Sequence, residues 1–194
     1  MDKLDREDLF SLEKYAEIRN DFRARVMLHK ENRQLPIGSH ATLYFEDRLT
    51  MQYQIQEMLR AEKIFDEEGI QEELNVYNSL VPDGLNWKAT FMIEYTDEEE
   101  RKDALARLIG VEKKLWIKVA DFESVTPIAN EDLERETEIK TSAVHFLRFE
   151  LTEDMVAALK KGAFVAAGIS HPEYDLTVDP VPENIRQALL EDLE

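Results

Sequence analysis

KATFMIEYTDEEERKDALARLIG, residues 88–110, decides the reading of the fold. Ala89, Phe91, Ile93 and Tyr95 alternate with Lys88, Thr90, Met92 and Glu94, the period-2 signature of a half-buried strand. Thr96 then stands at an N-cap position with Glu99 three residues on, the spacing of a capping box. Leu105, Leu108 and Ile109 follow at helical spacing, and Gly110 occupies the place where a helix closes in the left-handed region. Leu115–Ala120 and Ser124–Ala129 read as a hairpin. VHFLRFELTEDMVAALKKG at 144–162 repeats the order: a strand to Leu151, Thr152 as cap, a helix carrying Met155, Val156 and Leu159, and Gly162 as stop. Ala163–Ile169 and Tyr174–Val178 then form a second hairpin that turns through Ser170–Glu173.

Upstream, Asp5 can cap a short helix over Arg6–Phe10, and Asn20 or Asp21 a longer one to about Arg33. Pro36 and Gly38 make Gln34–His40 a loop, and Ala41–Glu46 alternates as a strand. Arg48–Glu67 and Glu68–Leu80 read as helices, and Pro82-Asp83-Gly84 as a turn. Pro182 opens a final helix with Ile185, Leu189 and Leu193 on its buried stripe. The expected class is α+β: N-terminal helices plus a mainly antiparallel sheet built from two β-α-β-β units, with helices packed on the sheet. One domain is expected over residues 1–194. Its parts are a mainly helical region at 1–81, units at 88–129 and 141–178 joined by the acidic stretch Asn130–Lys140, and a C-terminal helix at 182–194. A strand–helix–strand step would need a right-handed crossover if its strands paired in parallel.

With 43% hydrophobic residues the chain of 194 can build a core, and its net charge of -18 repels phosphate backbones and anionic lipid. Neither nucleic acid nor a membrane surface is therefore expected as a partner. The absence of cysteine excludes disulfides, a thiolate nucleophile and cysteine-held metal. The charged start MDKLDREDLF has no apolar signal region, so a cytoplasmic protein is expected. There is no G-x-G-x-x-G, no P-loop and no G-x-S-x-G elbow, and His29, His40, His145 and His171 show no metal-ligand spacing. No cofactor and no metal are expected.

Two groups of polar residues stand out. Tyr53, Gln56, Glu57 and Arg60 crowd the face of the 48–67 helix opposite Met51, Ile55, Met58 and Leu59. With His145 and Arg148 they make a candidate polar cluster. Its first reading is a structural tie between that helix and the Arg148 strand, with Glu57 pairing Arg148. The second reading is a pocket in which Glu57, Arg60, His145 and Arg148 hold a small anion, with Glu57 as base. His145 itself, among apolar neighbours, reads as a core histidine. Arg25, His29 and Arg33, four residues apart on one helical face, form a candidate anion site in a locally basic stretch. The competing expectation is that they pair with acidic segments at 66–73, 97–100 or 131–138.

SLEKYAEIR at 11–19, MQYQIQEMLRAEKIF at 51–65 and KTSAVHFLRFEL at 140–151 resemble an uncharacterised bacterial family, domain of unknown function 3501. The resemblance brings no activity and no catalytic residues. It implies a redox setting, because genes of that family are expected near those for a rubrerythrin-like protein and an iron–sulfur oxidoreductase subunit. The combined expectation is a non-catalytic accessory or interaction protein for such a redox partner, with a homo-oligomer left open. The alternative is the small-molecule anion-binding enzyme or sensor.

Overall fold

A computed structural model describes residues 2–131 and 139–194, so most of the acidic connection expected at 130–140, and the pairing partners expected at 132–138, lie outside the described residues. The fold is α+β, with two antiparallel sheets. In the first sheet the order is β1 (Gln34–Pro36), β2 (Ala41–Glu46), β3 (Asn86–Ile93), β6 (Val144–Glu150), β5 (Ile128–Ala129). The second sheet has the order β4 (Leu115–Val119), β7 (Val165–His171), β8 (Tyr174–Val178). The helices are α1 (Leu12–Glu31), α2 (Arg48–Glu62), α3 (Glu67–Tyr77), α4 (Glu98–Arg107), α5 (Glu153–Lys160) and α6 (Glu183–Leu190).

The strand–helix–strand steps do not close within one sheet. α4 carries the chain from β3 in the first sheet to β4 in the second, and α5 does the same from β6 to β7. The entry strands pair with each other, Ala89 opposite Leu147, and the exit strands pair likewise, Ile117 opposite Ala167. No parallel crossover arises. The hairpin expected between 115–120 and 124–129 survives only as a bridge between Ile117 and Val125, because β5 pairs with β6 instead.

Period-2 burial explains the packing. Leu43, Phe45, Ala89, Phe91, Leu147 and Phe149 put one face of the first sheet into the main core. There they meet Ile117, Val165 and Ile169 from the second sheet, and Leu105, Leu159, Ile185 and Leu189 from α4, α5 and α6. Gly168 permits the second sheet to close: a Cβ there would lie 2.4 Å from Trp116 Cζ2 and 2.8 Å from the Leu176 carbonyl oxygen. A smaller core joins Met51, Ile55 and Leu59 of α2 to Ile70 and Leu74 of α3, with Phe146 from β6 packed against it. Tyr15, Phe22 and Val26 of α1 gather around Tyr53 in a third cluster.

Several boundaries differ from the sequence reading for identifiable reasons. α1 begins at Leu12 under a Ser11 cap, well before Asn20 or Asp21, because Tyr15, Phe22 and Val26 extend one buried stripe through it. Gln34–Pro36 is an edge strand, with Leu35 opposite Leu43; at an edge the missing N–H of Pro36 need not be satisfied. Asp97, not Thr96, caps α4: its carboxylate accepts from the amides of Glu99 and Glu100 at 2.9 Å each. Ile109 is 38% exposed instead of buried.

Candidate functional site

α2 begins at an Asp47 cap, whose carboxylate accepts from the Thr50 amide at 2.8 Å, and ends at Lys63 in the left-handed region. Its apolar stripe faces α3, and its polar face is turned toward the N-terminal segment and α1. Gln52 Nε2 donates to the Asp8 carbonyl at 2.6 Å. Gln56 is fully buried; its Oε1 accepts the Phe10 amide at 2.5 Å and its Nε2 donates to the Phe10 carbonyl at 3.4 Å. Glu57 accepts from Arg19 Nε at 2.7 Å, Arg19 Nη2 at 2.6 Å and the Tyr15 hydroxyl at 2.7 Å. Arg19 holds the Glu57 carboxyl below its ordinary range, which suits an ion pair and not a base. Tyr53 is buried against Phe22.

The expected pairing of Glu57 with Arg148 is therefore corrected: Arg19 takes Glu57. Arg60 is exposed and reaches Glu57 only through space. His145 lies in the first core, stacked on Phe91. Its Nδ1 accepts from Asn130 Nδ2, and its Nε2 sits 3.0 Å from both Thr141 Oγ1 and the Ser142 carbonyl, so the proton is assigned to Nε2. Glu57, Arg60, His145 and Arg148 thus belong to different surroundings and line no common pocket. Gln56→Ala is expected to cost about 1–3 kcal/mol, because it leaves the Phe10 amide unpaired. Arg60→Ala should change stability by no more than about 0.5 kcal/mol, because the side chain is exposed. Urea denaturation of the two variants side by side checks the contrast.

The expected basic face of Arg25, His29 and Arg33 is also dispersed, since α1 ends at Glu31 and Arg33 lies in the turn beyond it. Arg25 is exposed and lies over the Phe22 ring at 5.0 Å. Arg33 is 2% exposed and makes two hydrogen bonds of 2.9 Å to Asp192. Its Nε lies 3.0 Å from Asp47 Oδ2, out of line for a hydrogen bond, so that contact is ionic only. His29 Nε2 lies 2.6 Å from the same Asp47 oxygen. His29 and Arg33 are thus committed to internal carboxylates, and those are Asp47 and Asp192, not the acidic segments expected. Burial, helped by the nearby Asp47 charge, pushes the Asp192 carboxyl up to about 6 against the pull of Arg33. The folded chain then binds this proton more tightly than the unfolded chain. The resulting stabilisation is complete below about pH 4 and is lost as pH rises through about 6, a change on the order of 3 kcal/mol. Melting temperatures of the protein and of Asp192→Asn across pH 4–7 test this: the difference between them should change through that window and stay flat outside it.

Among the described residues, one polar arrangement beside a groove is not consumed by the fold. A groove of about 450 Å³ runs between the end of α3 and the outer face of the first sheet. Val76, Tyr77 and Leu80 form one wall, and Lys88, Phe146 and Arg148 the other. Lys88 and Arg148 are directly opposed across β3 and β6. Arg148 is paired with two carboxylates: Nε and Nη2 donate to Glu131 at 2.8 and 2.6 Å, and Nη1 donates to Glu150. Lys88 is half-buried, and among the described residues its ammonium has no hydrogen bond and no carboxylate at ion-pair distance. Burial and then the neighbouring Arg148 charge lower its proton affinity. A more open depression of about 510 Å³ near Gly84 carries its charges on the exposed side chains of Asp83, Glu153, Lys160 and Glu194, and offers no half-buried polar group.

Sequence reasoning included Arg148 but missed Lys88. The usable signal was the outward position of Lys88 in the 88–95 alternation; what the sequence lacked was the register that sets it opposite another cation. Among the described residues no three His, Asp or Glu side chains are grouped to hold a metal ion, and no helix is long and apolar enough to cross a membrane.

A family model described as protein of unknown function (DUF3501) matches residues 3–193. A crystal structure of a novel protein of unknown function from Burkholderia pseudomallei K96243 is similar over 100% of both chains, at 50% identity and a TM-score of 0.94. No curated protein matches.

Proposed function

The chain belongs to the DUF3501 family of proteins of unknown function, and we propose, from its own residues, that it is a small-molecule-binding protein of the cytoplasm. Its ligand is an organic acid with an apolar body, held in the groove between α3 and the first sheet. The observation that carries this reading is Lys88: a half-buried cation with no carboxylate at ion-pair distance among the described residues, set among Val76, Leu80 and Phe146. A volume of about 450 Å³ is within the range of small-ligand sites, which are mostly apolar with a few placed polar groups. A carboxylate head would give Lys88 the partner it lacks, while the apolar walls receive the body.

Calorimetric titration with hexanoate and octanoate tests the reading. Binding should be 1:1 and tighter for the longer chain, by about 0.8 kcal/mol for each further buried methylene. Lys88→Gln should weaken it by about tenfold or more, the equivalent of one charge-assisted hydrogen bond. Absence of binding, or equal binding by Lys88→Gln, overturns it.

A role as an accessory to an iron–sulfur or rubrerythrin-like redox protein is a second reading. It is favoured by the acidic charge of -18, which suits a basic partner face, and by Phe65, 72% exposed on the turn between α2 and α3.

A further inference from the structure

We propose that Lys88 is a nucleophilic amine that captures the carbonyl carbon of an apolar aldehyde or ketone as an imine. This rests on the same groove as the reading above and goes beyond it by naming a reactive ligand class and a covalent step.

Three features of the groove support the step. The ammonium of Lys88 has no carboxylate partner among the described residues, so no ion pair holds its proton. The cation directly across the sheet, Arg148, opposes a second positive charge on the same face. The walls at Val76, Leu80 and Phe146 are apolar and favour the uncharged amine. A lysine desolvated beside another cation is the arrangement that raises the neutral, nucleophilic fraction. The other charges around it do not reverse this. Glu131 favours the ammonium but is engaged by both Nε and Nη2 of Arg148, whose Nη1 is held by Glu150 of the same strand. Glu46, across the sheet on β2, accepts the Thr90 hydroxyl. Lys3 adds further positive charge and Asp83 negative charge from outside the groove.

In the step, the Nζ lone pair attacks the carbonyl carbon. The C–N bond forms, the carbonyl π electrons move to oxygen, and a proton passes from nitrogen to that oxygen to give a carbinolamine. The hydroxyl then takes a proton and leaves as water. The nitrogen lone pair closes the C=N bond, and the resulting iminium can lose its N–H proton to solvent. One carbonyl compound and one amine give one imine and one water, with no oxidant or reductant.

The experiment incubates the intact protein with a sub-stoichiometric amount of hexanal. The imine is trapped with cyanoborohydride, and labelling is quantified at each lysine by peptide mass spectrometry. Labelling of Lys88 should exceed that of any other lysine by about tenfold, as for a selectively deprotonated amine, and the excess should vanish in denaturant. Its rate should reach half-maximum at lower pH than that of exposed lysines such as Lys102. Uniform labelling, or an excess that persists in denaturant, overturns the inference, and this readout needs no variant to fold. Hexanoate titration separates the two proposals. If hexanoate binds with dependence on Lys88 while hexanal shows no preference for it, the groove reading stands and the imine step falls. If hexanal labels Lys88 selectively without hexanoate binding, the organic-acid reading falls instead.

Discussion

Arg33→Met is expected to cost about 3–5 kcal/mol at pH 7.5, the penalty for removing one partner of a buried ion pair. Arg33 is the only cation among the described residues that makes hydrogen bonds to Asp192, a side chain 1% exposed. Without it, the Asp192 carboxylate would sit beside Asp47 in an apolar setting and would have to take up a proton for the fold to persist. The cost should therefore shrink as pH falls through about 6, where Asp192 already begins to bind its proton. Arg33 also donates to the Ala188 carbonyl at 3.0 Å, so its loss additionally frees the end of α6 from the turn that follows α1. Urea denaturation at pH 5 and 7.5 measures both effects. A penalty that is the same at the two pH values would show that packing, and not charge, is what Arg33 supplies.

Trp87→Ala should cost a comparable amount, about 3–5 kcal/mol, as for a large core aromatic replaced by alanine. The indole is 1% exposed and lies edge-on to Phe45 at 6.4 Å. Its Nε1 donates to the Leu189 carbonyl at 2.9 Å, joining β3 to α6. Trp87→Phe separates the contributions: it keeps much of the volume and gives up the hydrogen bond, for an expected cost of about 1–3 kcal/mol. If the two variants lost equal stability, the bond to Leu189 and not the buried volume would carry the effect.

Both side chains show what can and cannot be read from the residues alone. The strands around Phe91 and Phe149 were legible because alternation fixes which side chains face the core, and α5 was legible down to its Thr152 cap. Alternation does not say which strand lies alongside. The pairing of β3 with β6, and the placing of β4 in another sheet, depend on how α4 and α5 cross between layers. α1 was misplaced at its start because charges surround its buried stripe, leaving little contrast between faces. For the polar residues, the sequence identified groups that needed partners without saying which. Gln56 found Phe10, Glu57 found Arg19, and Arg33 found Asp192, each far away in the chain. Lys88 was passed over because one lysine on the open side of a strand is ordinary until its neighbours are known.

The exchange of strands between the two β-α-β segments bears on how the chain folds. Each segment makes its entry and exit strands adjacent in sequence but pairs neither with the other. β3 also pairs with β2 and β7 with β8, but the β3–β6 and β4–β7 ladders cannot form until the two segments have met. Early local hairpins cannot serve as the nucleus for the central pairs; a loop spanning residues 93–144 must close first, and that entropy is spent before any ladder contact repays it. Refolding should thus be slow for a chain so rich in helix, and should show one concerted phase in which both sheets gain protection from hydrogen exchange together.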